Sequence, residues 1–271
     1  MGRYWRPANL PEALRILGAE RPRILAGGTR LVRGATPADW DADMLDISGI
    51  PALQGITATA AGWRIGAATS WTALLGAPIA ALRQAAATVA SPQVRHQATI
   101  GGNIAARFAS ADGAPALLAL DATLELASST AGRSLALAAF LAGAPLAPDE
   151  LLVAINLPPV AHSGFAKHGS RHAVNVAEVT AAVHLDIAGG RIRAAGLALG
   201  GCLQAAQRLP GLEAALAGQP ATPALGAAVD ASYLAHLPLL DDFRAPAAYR
   251  QQVAITLLRR LLATLTAEAA A

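Results

Sequence analysis

Two short segments of this chain, Leu25-Ala26-Gly27-Gly28-Thr29 and Thr99-Ile100-Gly101-Gly102-Asn103, each follow apolar residues with a Gly-Gly pair beside threonine. Without Cβ atoms, such a backbone can turn several N–H groups inward and let an anion approach closely. Taken singly, a Gly-Gly pair is weak evidence and reads more readily as a tight turn. Two similar segments in one chain, each ending an apolar stretch and flanked by threonine, strengthen the case for an anion cradle. Neither is followed by Lys-Ser/Thr and no G-x-G-x-x-G occurs, so the common nucleotide fingerprints are absent.

The elements around these segments predict a mixed fold. Pro11 to Leu17 reads as a short helix closed by Gly18, followed by a strand at Arg23-Ile24-Leu25. The first glycine segment therefore sits at the carboxyl end of a strand, where α/β architectures dock ligands. A strand is expected at Met44 to Ile47, and a hairpin from Gly55 to Ala67 turning at Ala61-Gly62. Thr69 and Ser70 offer caps for a helix near Trp71, and Pro78 to Val89 suits another, which Ser91-Pro92 stops. Asp112 to Leu120 reads as helix, Thr123 to Leu126 and Leu151 to Leu157 as strands. Pro158-Pro159 through His162 is the expected domain boundary. Beyond it, strands are expected at Phe165 to Lys167, Val176 to Ile187 and Arg191 to Leu199, the last two paired about Gly189-Gly190. Helices are then expected at Pro210 to Ala217, Pro223 to Leu234 and from Pro246, where Val253, Leu257, Leu258, Leu261, Leu262 and Leu265 form one stripe.

Composition narrows the function classes. The chain has 271 residues, 54% hydrophobic and only 14% charged, which raises the question of a membrane span. The longest uncharged run, Ile65 to Leu82, is broken by Gly66, Thr69, Ser70, Thr72, Gly76 and Pro78, so no spanning helix is expected. The start MGRYWRPANL lacks a secretory pattern, and a cytoplasmic protein is expected. The 21 basic and 18 acidic residues are scattered, which argues against nucleic acid. The six histidines show no metal spacing, and no side-chain order suggests a catalytic triad. One cysteine, Cys202, excludes a disulfide or an iron–sulfur cluster held by this chain alone, and its apolar surroundings suggest a buried, inert thiol.

The first glycine segment, Gln93-Val94-Arg95, the second glycine segment, and Asp112 before Pro115-Ala116 together resemble the FAD-binding subunit of the molybdenum hydroxylases. These are the relatives of xanthine dehydrogenase, aldehyde oxidase and carbon monoxide dehydrogenase. The likeness continues through Phe165-Ala166-Lys167, Arg171, the Gly190-Arg191 hairpin, Asp241-Asp242-Phe243-Arg244 and Tyr249-Arg250, nearly the whole chain. It implies an α+β fold. A two-part FAD-binding domain of the molybdopterin dehydrogenase (PCMH) type would span residues 1–160. A C-terminal flavoprotein domain, a three-stranded antiparallel sheet with helices, would span 161–271.

The resemblance also implies a site. The FAD pyrophosphate would lie on main-chain amides at Leu25, Ala26, Gly27, Gly28, Thr29, Arg30 and Leu31, and Thr99, Gly101, Gly102 and Asn103 would close on the cofactor. Asp112 would accept hydrogen bonds from it, Leu152 would pack on it, and Lys167 would stand near the flavin end, favouring negative charge on the reduced ring. Read without the resemblance, Asp112 is a helix cap and Lys167 a solvated edge residue. Two departures stand out. Relatives usually carry a small polar or acidic residue where this chain has Arg30, which can face phosphate or solvent. Ala105 to Ala111 lacks the proline often found there.

The implied activity is electron gathering, with no catalytic side chain of its own. Electrons would come from [2Fe–2S] clusters on an iron–sulfur subunit, fed by a molybdopterin-binding subunit, and leave to NAD, quinone or dioxygen. Two rivals remain open: a stand-alone FAD-dependent reductase with its own substrate, and a non-enzymatic scaffold subunit that has lost FAD.

Overall fold

The structure, a computed structural model, describes residues 2–33, 35–36, 39, 41–169 and 176–270. Arg171, which the resemblance includes, lies outside them, as do Trp40, Ser170 and His172. The chain begins with β1 (Tyr4–Trp5), α1 (Leu10–Glu20), β2 (Arg23–Leu25) and β3 (Met44–Asp46), which form a parallel sheet in the order β1-β3-β2. Asn9 caps α1 by accepting from Glu12 N–H. The helix does not stop at Gly18. It continues to Glu20 and closes on Arg21 in the left-handed region, whose N–H donates to the Leu17 carbonyl. Gly18 packs instead against Ser129, whose hydroxyl would lie 2.7 Å from a Cβ there.

The middle of the chain contributes β4 (Ile56–Thr59), β5 (Gly62–Gly66), α2 (Trp71–Leu74), α3 (Ala80–Thr88), α4 (Pro92–Gln97), α5 (Ile100–Ala105), α6 (Gly113–Ala119), β6 (Thr123–Ala127), β7 (Gly132–Ala136), α7 (Leu137–Ala142) and β8 (Leu151–Leu157). The strands form an antiparallel sheet in the order β4-β5-β8-β6-β7. Ser91-Pro92 ends one helix as expected, but it also starts the next. The Ser91 hydroxyl accepts from Val94 N–H, and proline fits a first helical turn, where its missing donor costs nothing. The second glycine segment is likewise not a loop but the first turn of α5.

The remainder supplies β9 (His162–Gly169), β10 (Ala177–Ala188), β11 (Arg191–Gly200), β12 (Gln207–Arg208), α8 (Pro210–Leu216) and α9 (Ala247–Ala270). Gly189 and Gly190, with φ of 57° and 71°, make the β10–β11 turn, as that dipeptide predicts. The antiparallel sheet runs β12-β11-β10-β9, so a short fourth strand joins the expected three. Pro223 to Leu234 is not one helix. It forms two 3₁₀ turns, Pro223–Ala228 and Ala231–Leu234. At Gly226 a Cβ would come within 2.8 Å of the Arg259 carbonyl, so the chain there is shaped by contact with α9.

Period-two alternation sets what this last sheet joins. Val179, Ala181, Val183 and Leu185 of β10 face a core shared with Leu258, Leu262 and Leu265 of α9. Ala182 and Ala198 face the other core, built around Trp71, Leu82, Ile100 and Leu117. One sheet therefore ties both parts of the chain. Arg250, buried in α9, donates to the carbonyls of Ala245, Glu178 and Gly201 and to Asp242 Oδ1 at 2.6 Å. The Asp-Asp and Tyr-Arg pattern thus contains a structural staple. Cys202 is fully buried, which pushes its thiol up to about 11. Among the described residues, no helix is long and apolar enough to cross a membrane.

Candidate functional site

At the carboxyl end of β2, the Leu25 carbonyl accepts from Ile47 N–H at 2.9 Å, and the chain then leaves the sheet. A Cβ on Gly27 would overlap the Gln97 carbonyl, so only glycine fits. Gly28 has φ of 67°, the left-handed conformation that glycine adopts without strain. Val32 N–H donates to the Gly28 carbonyl at 2.9 Å, closing a single helical turn. Among the described residues, the N–H groups of Gly27, Gly28, Thr29, Arg30 and Leu31 donate to nothing. Five consecutive open donors at a strand end are backbone groups of the kind that an anion can satisfy. Arg30 is exposed, its guanidinium carbon 4.0 Å from the centre of the Phe108 ring.

The second segment packs directly against the first, because Gln97 and Ala98 are what Gly27 touches. Here the amides are consumed. Ile100 N–H donates to the Thr69 carbonyl at 3.0 Å, Gly101 N–H to Ala67 at 2.8 Å, and Asn103 N–H to Thr99 at 3.0 Å. The Thr99 hydroxyl caps α5 by accepting from Gly102 N–H at 3.1 Å. Gly101 lacks a Cβ because one would lie 2.6 Å from the Ala67 carbonyl oxygen. Gly102 is exposed, and a Cβ there would meet only the Thr99 hydroxyl, at 3.0 Å. Asn103 Oδ1 is buried without a partner, beside Gly113 and the Trp71 ring. A cleft of about 540 Å³ lies where the two segments meet, with Ala26 and Gly27 on one wall and Gln97 and Thr99 on another.

Next to Gly113, the neighbour of Asn103, sequence-distant residues form a buried ion pair. Lys167 Nζ, on β9, donates to Asp112 Oδ2 at 2.6 Å and to the Thr88 carbonyl at 3.1 Å; the two charged side chains are 3% and 5% exposed. Neither unassisted reading of these residues survives. Asp112 makes no cap bond, and Lys167 is not at a solvated edge. Burial pushes the Asp112 carboxyl up to about 6, although the Lys167 ammonium pulls it the other way. Asp112 Oδ1 has no partner. Leu152, on β8, is 4% exposed within the core that also holds Ile100 and Ile104.

The fold therefore brings the two glycine segments together and pairs Asp112 with Lys167. Sequence reasoning missed three neighbours: Thr88, whose carbonyl shares the lysine; Phe108, which meets Arg30; and Gly113, where a Cβ would lie 2.7 Å from Asn103 Oδ1. Phe108 had one visible signal, an aromatic in an Ala- and Ser-rich stretch already lacking the expected proline.

Residues 1–160 match the family model for the FAD-binding domain in molybdopterin dehydrogenase. The chain belongs to that family. Residues 165–265 of this flavoprotein subunit match the C-terminal domain of the CO dehydrogenase flavoprotein. It is 32% identical over 282 residues to a putative xanthine dehydrogenase FAD-binding subunit of Escherichia coli K12, covering 98% of this chain and 96% of that one. It is also 32% identical over 276 residues to the carbon monoxide dehydrogenase medium chain of Afipia carboxidovorans, covering 95% and 94%. Among solved structures, a chain of cyanide-inactivated Cu,Mo-CO dehydrogenase superposes with a TM-score of 0.86 at 29% identity, covering 98% of each chain. Quinoline 2-oxidoreductase from Pseudomonas putida 86 gives 0.84 at 27% identity, covering 99% and 98%. The relatives are subunits of dehydrogenases, and this chain shares their FAD-binding fold and C-terminal antiparallel sheet.

Proposed function

We propose that this chain is the electron-transfer subunit of a molybdenum-containing hydroxylase or dehydrogenase, binding FAD non-covalently. Electrons would reach it from [2Fe–2S] clusters on an iron–sulfur subunit, fed in turn by a molybdopterin-binding subunit, and leave to NAD, quinone or dioxygen. The observation that carries this reading is the run of open amides from Gly27 to Leu31, a cradle that fits a diphosphate. Bound there, FAD would supply a carrier that accepts a pair of electrons and hands them on.

The chain's own residues have distinct parts in this proposal. The amides from Gly27 to Leu31 hold the pyrophosphate, and Leu25 and Ala26 lead the strand into the turn. Thr99 and Gly101 fix the second segment, leaving the exposed face of Gly102 and the unpartnered Asn103 Oδ1 for the cofactor. Asp112 Oδ1 is a second unpartnered acceptor suited to a ligand hydroxyl or ring N–H. Lys167 acts through Asp112, holding that carboxylate charged in a buried site. Leu152 backs the site from the core. A single cysteine cannot hold a cluster, so in this proposal the clusters belong to another chain. The proposal puts the domain division at 160/161 and the complex in the cytoplasm.

Purification of the chain from its native host tests this. A yellow protein that releases FAD and copurifies with molybdenum- and iron–sulfur-bearing chains supports the proposal. Bound FAD without partners favours a stand-alone reductase, and a colourless chain without FAD affinity favours a scaffold. Gly102→Val should abolish FAD retention while the FAD-free protein still folds, since its side chain would occupy the face proposed for the ligand. Unchanged affinity would remove the second segment from the site.

A further inference from the structure

We infer that Phe108 is a positioning residue: its ring is a platform that holds the Arg30 guanidinium beside the first glycine turn, adding a fixed cation that selects ligands bearing a diphosphate. This rests on the FAD reading above and deepens it.

A guanidinium 4.0 Å from a ring centre is within cation–π range. Phe108 is 41% exposed, an apolar ring held in water, and the backbone explains why it stays there. Arg107, just before it, is left-handed with φ of 52°, and its Nη2 donates to the carbonyls of Leu141 and Gly143, both at 2.8 Å. Just after it, the Ala109 carbonyl accepts from Gly201 N–H at 2.9 Å, and Ala111 N–H donates back to the Phe108 carbonyl at 3.0 Å. The ring is thus carried on a turn pinned on both sides.

Arg30 comes from the other segment, within the run of open amides. Among the described residues it has no carboxylate within ion-pair distance, whereas Lys167 is paired with Asp112. The charge of Arg30 is therefore available to a ligand at the turn. A planar guanidinium can bond two phosphate oxygens while its face stacks on an aromatic ring. Phe108 restricts the arginine to one side and lowers the ordering cost when a diphosphate arrives.

The test uses the full chain freed of flavin and titrated with FAD, FMN and riboflavin by flavin fluorescence, with a thermal melt of each variant. Phe108→Ala and Arg30→Ala should each weaken FAD roughly threefold to tenfold and leave riboflavin unchanged. Phe108→Tyr should restore FAD affinity, Phe108→Leu should not, and the double variant should lose no more than either single one. Unchanged FAD affinity in Phe108→Ala, equal losses for FAD and riboflavin, or additive losses in the double variant would overturn the platform. A wild-type chain that binds neither FAD nor FMN would instead overturn the FAD reading beneath it.

Discussion

The segments around Gly27-Gly28 and Gly101-Gly102 look alike as sequence, but the fold uses their backbones in opposite ways. The first leaves five amides open at a strand end, and the second gives every amide from Ile100 to Asn103 to a neighbour within the chain. Their glycines differ as well. Gly28 answers a backbone conformation, Gly27 and Gly101 answer close contact with protein backbone, and Gly102 alone leaves its face open to solvent. A Gly-Gly pair therefore marks where side chains are forbidden without saying whether a ligand or the protein forbids them.

The contrast predicts that damage near the second segment, the open face of Gly102 apart, appears in the FAD-free protein, while damage at the first appears mainly in FAD affinity. The largest effect is expected at the ion pair behind the second segment. Lys167→Met leaves a buried carboxyl unpaired and should cost about 3–5 kcal/mol at pH 8 in denaturant unfolding, less at pH 5, where Asp112 takes up a proton. In the wild type, a carboxyl raised to about 6 from 3.8 binds more protons folded than unfolded. Its contribution to stability is full below the unfolded value and is lost as pH rises through about 6. Asp112→Asn should flatten that slope, and an unaltered slope would assign it to other groups.

A smaller loss is expected from Gly101→Ala, which presses on the Ala67 carbonyl and should cost roughly 2–3 kcal/mol in a melt without FAD. Gly28→Ala costs mainly the strain of a left-handed alanine, about 1–2 kcal/mol, with a small shift of the Leu25 side chain, and should lose proportionally more in FAD affinity than in stability. If the two substitutions gave the same ratio of affinity loss to stability loss, the two segments would not differ in role. The smallest effect belongs to Thr99→Val, which removes the α5 cap for about 1 kcal/mol.

Much of the fold was legible because its signals are local. The Gly189-Gly190 turn, the β4–β5 hairpin and the α9 stripe each rest on neighbours or on a short period. Misreadings arose where distant contacts decide. Pro223 to Leu234 has a helix-like composition, but it lies against α9 and breaks into two 3₁₀ turns. Lys167 looked like an edge residue until β9 was laid against α3 and the start of α6, which places Thr88 and Asp112 around its ammonium.

The sequence by itself determined where glycines, turns and capping residues fall, and the resemblance those residues carry led to the family. It also required any iron–sulfur cluster to belong to another chain, since a single cysteine cannot hold one. Only the tertiary structure decided which amides remain open and which charges are paired. An N–H group is available only if the fold brings no acceptor to it. At the second segment the carbonyls of Ala67 and Thr69 arrive from the turn that follows β5, whereas at the first no described residue meets the amides from Gly27 to Leu31.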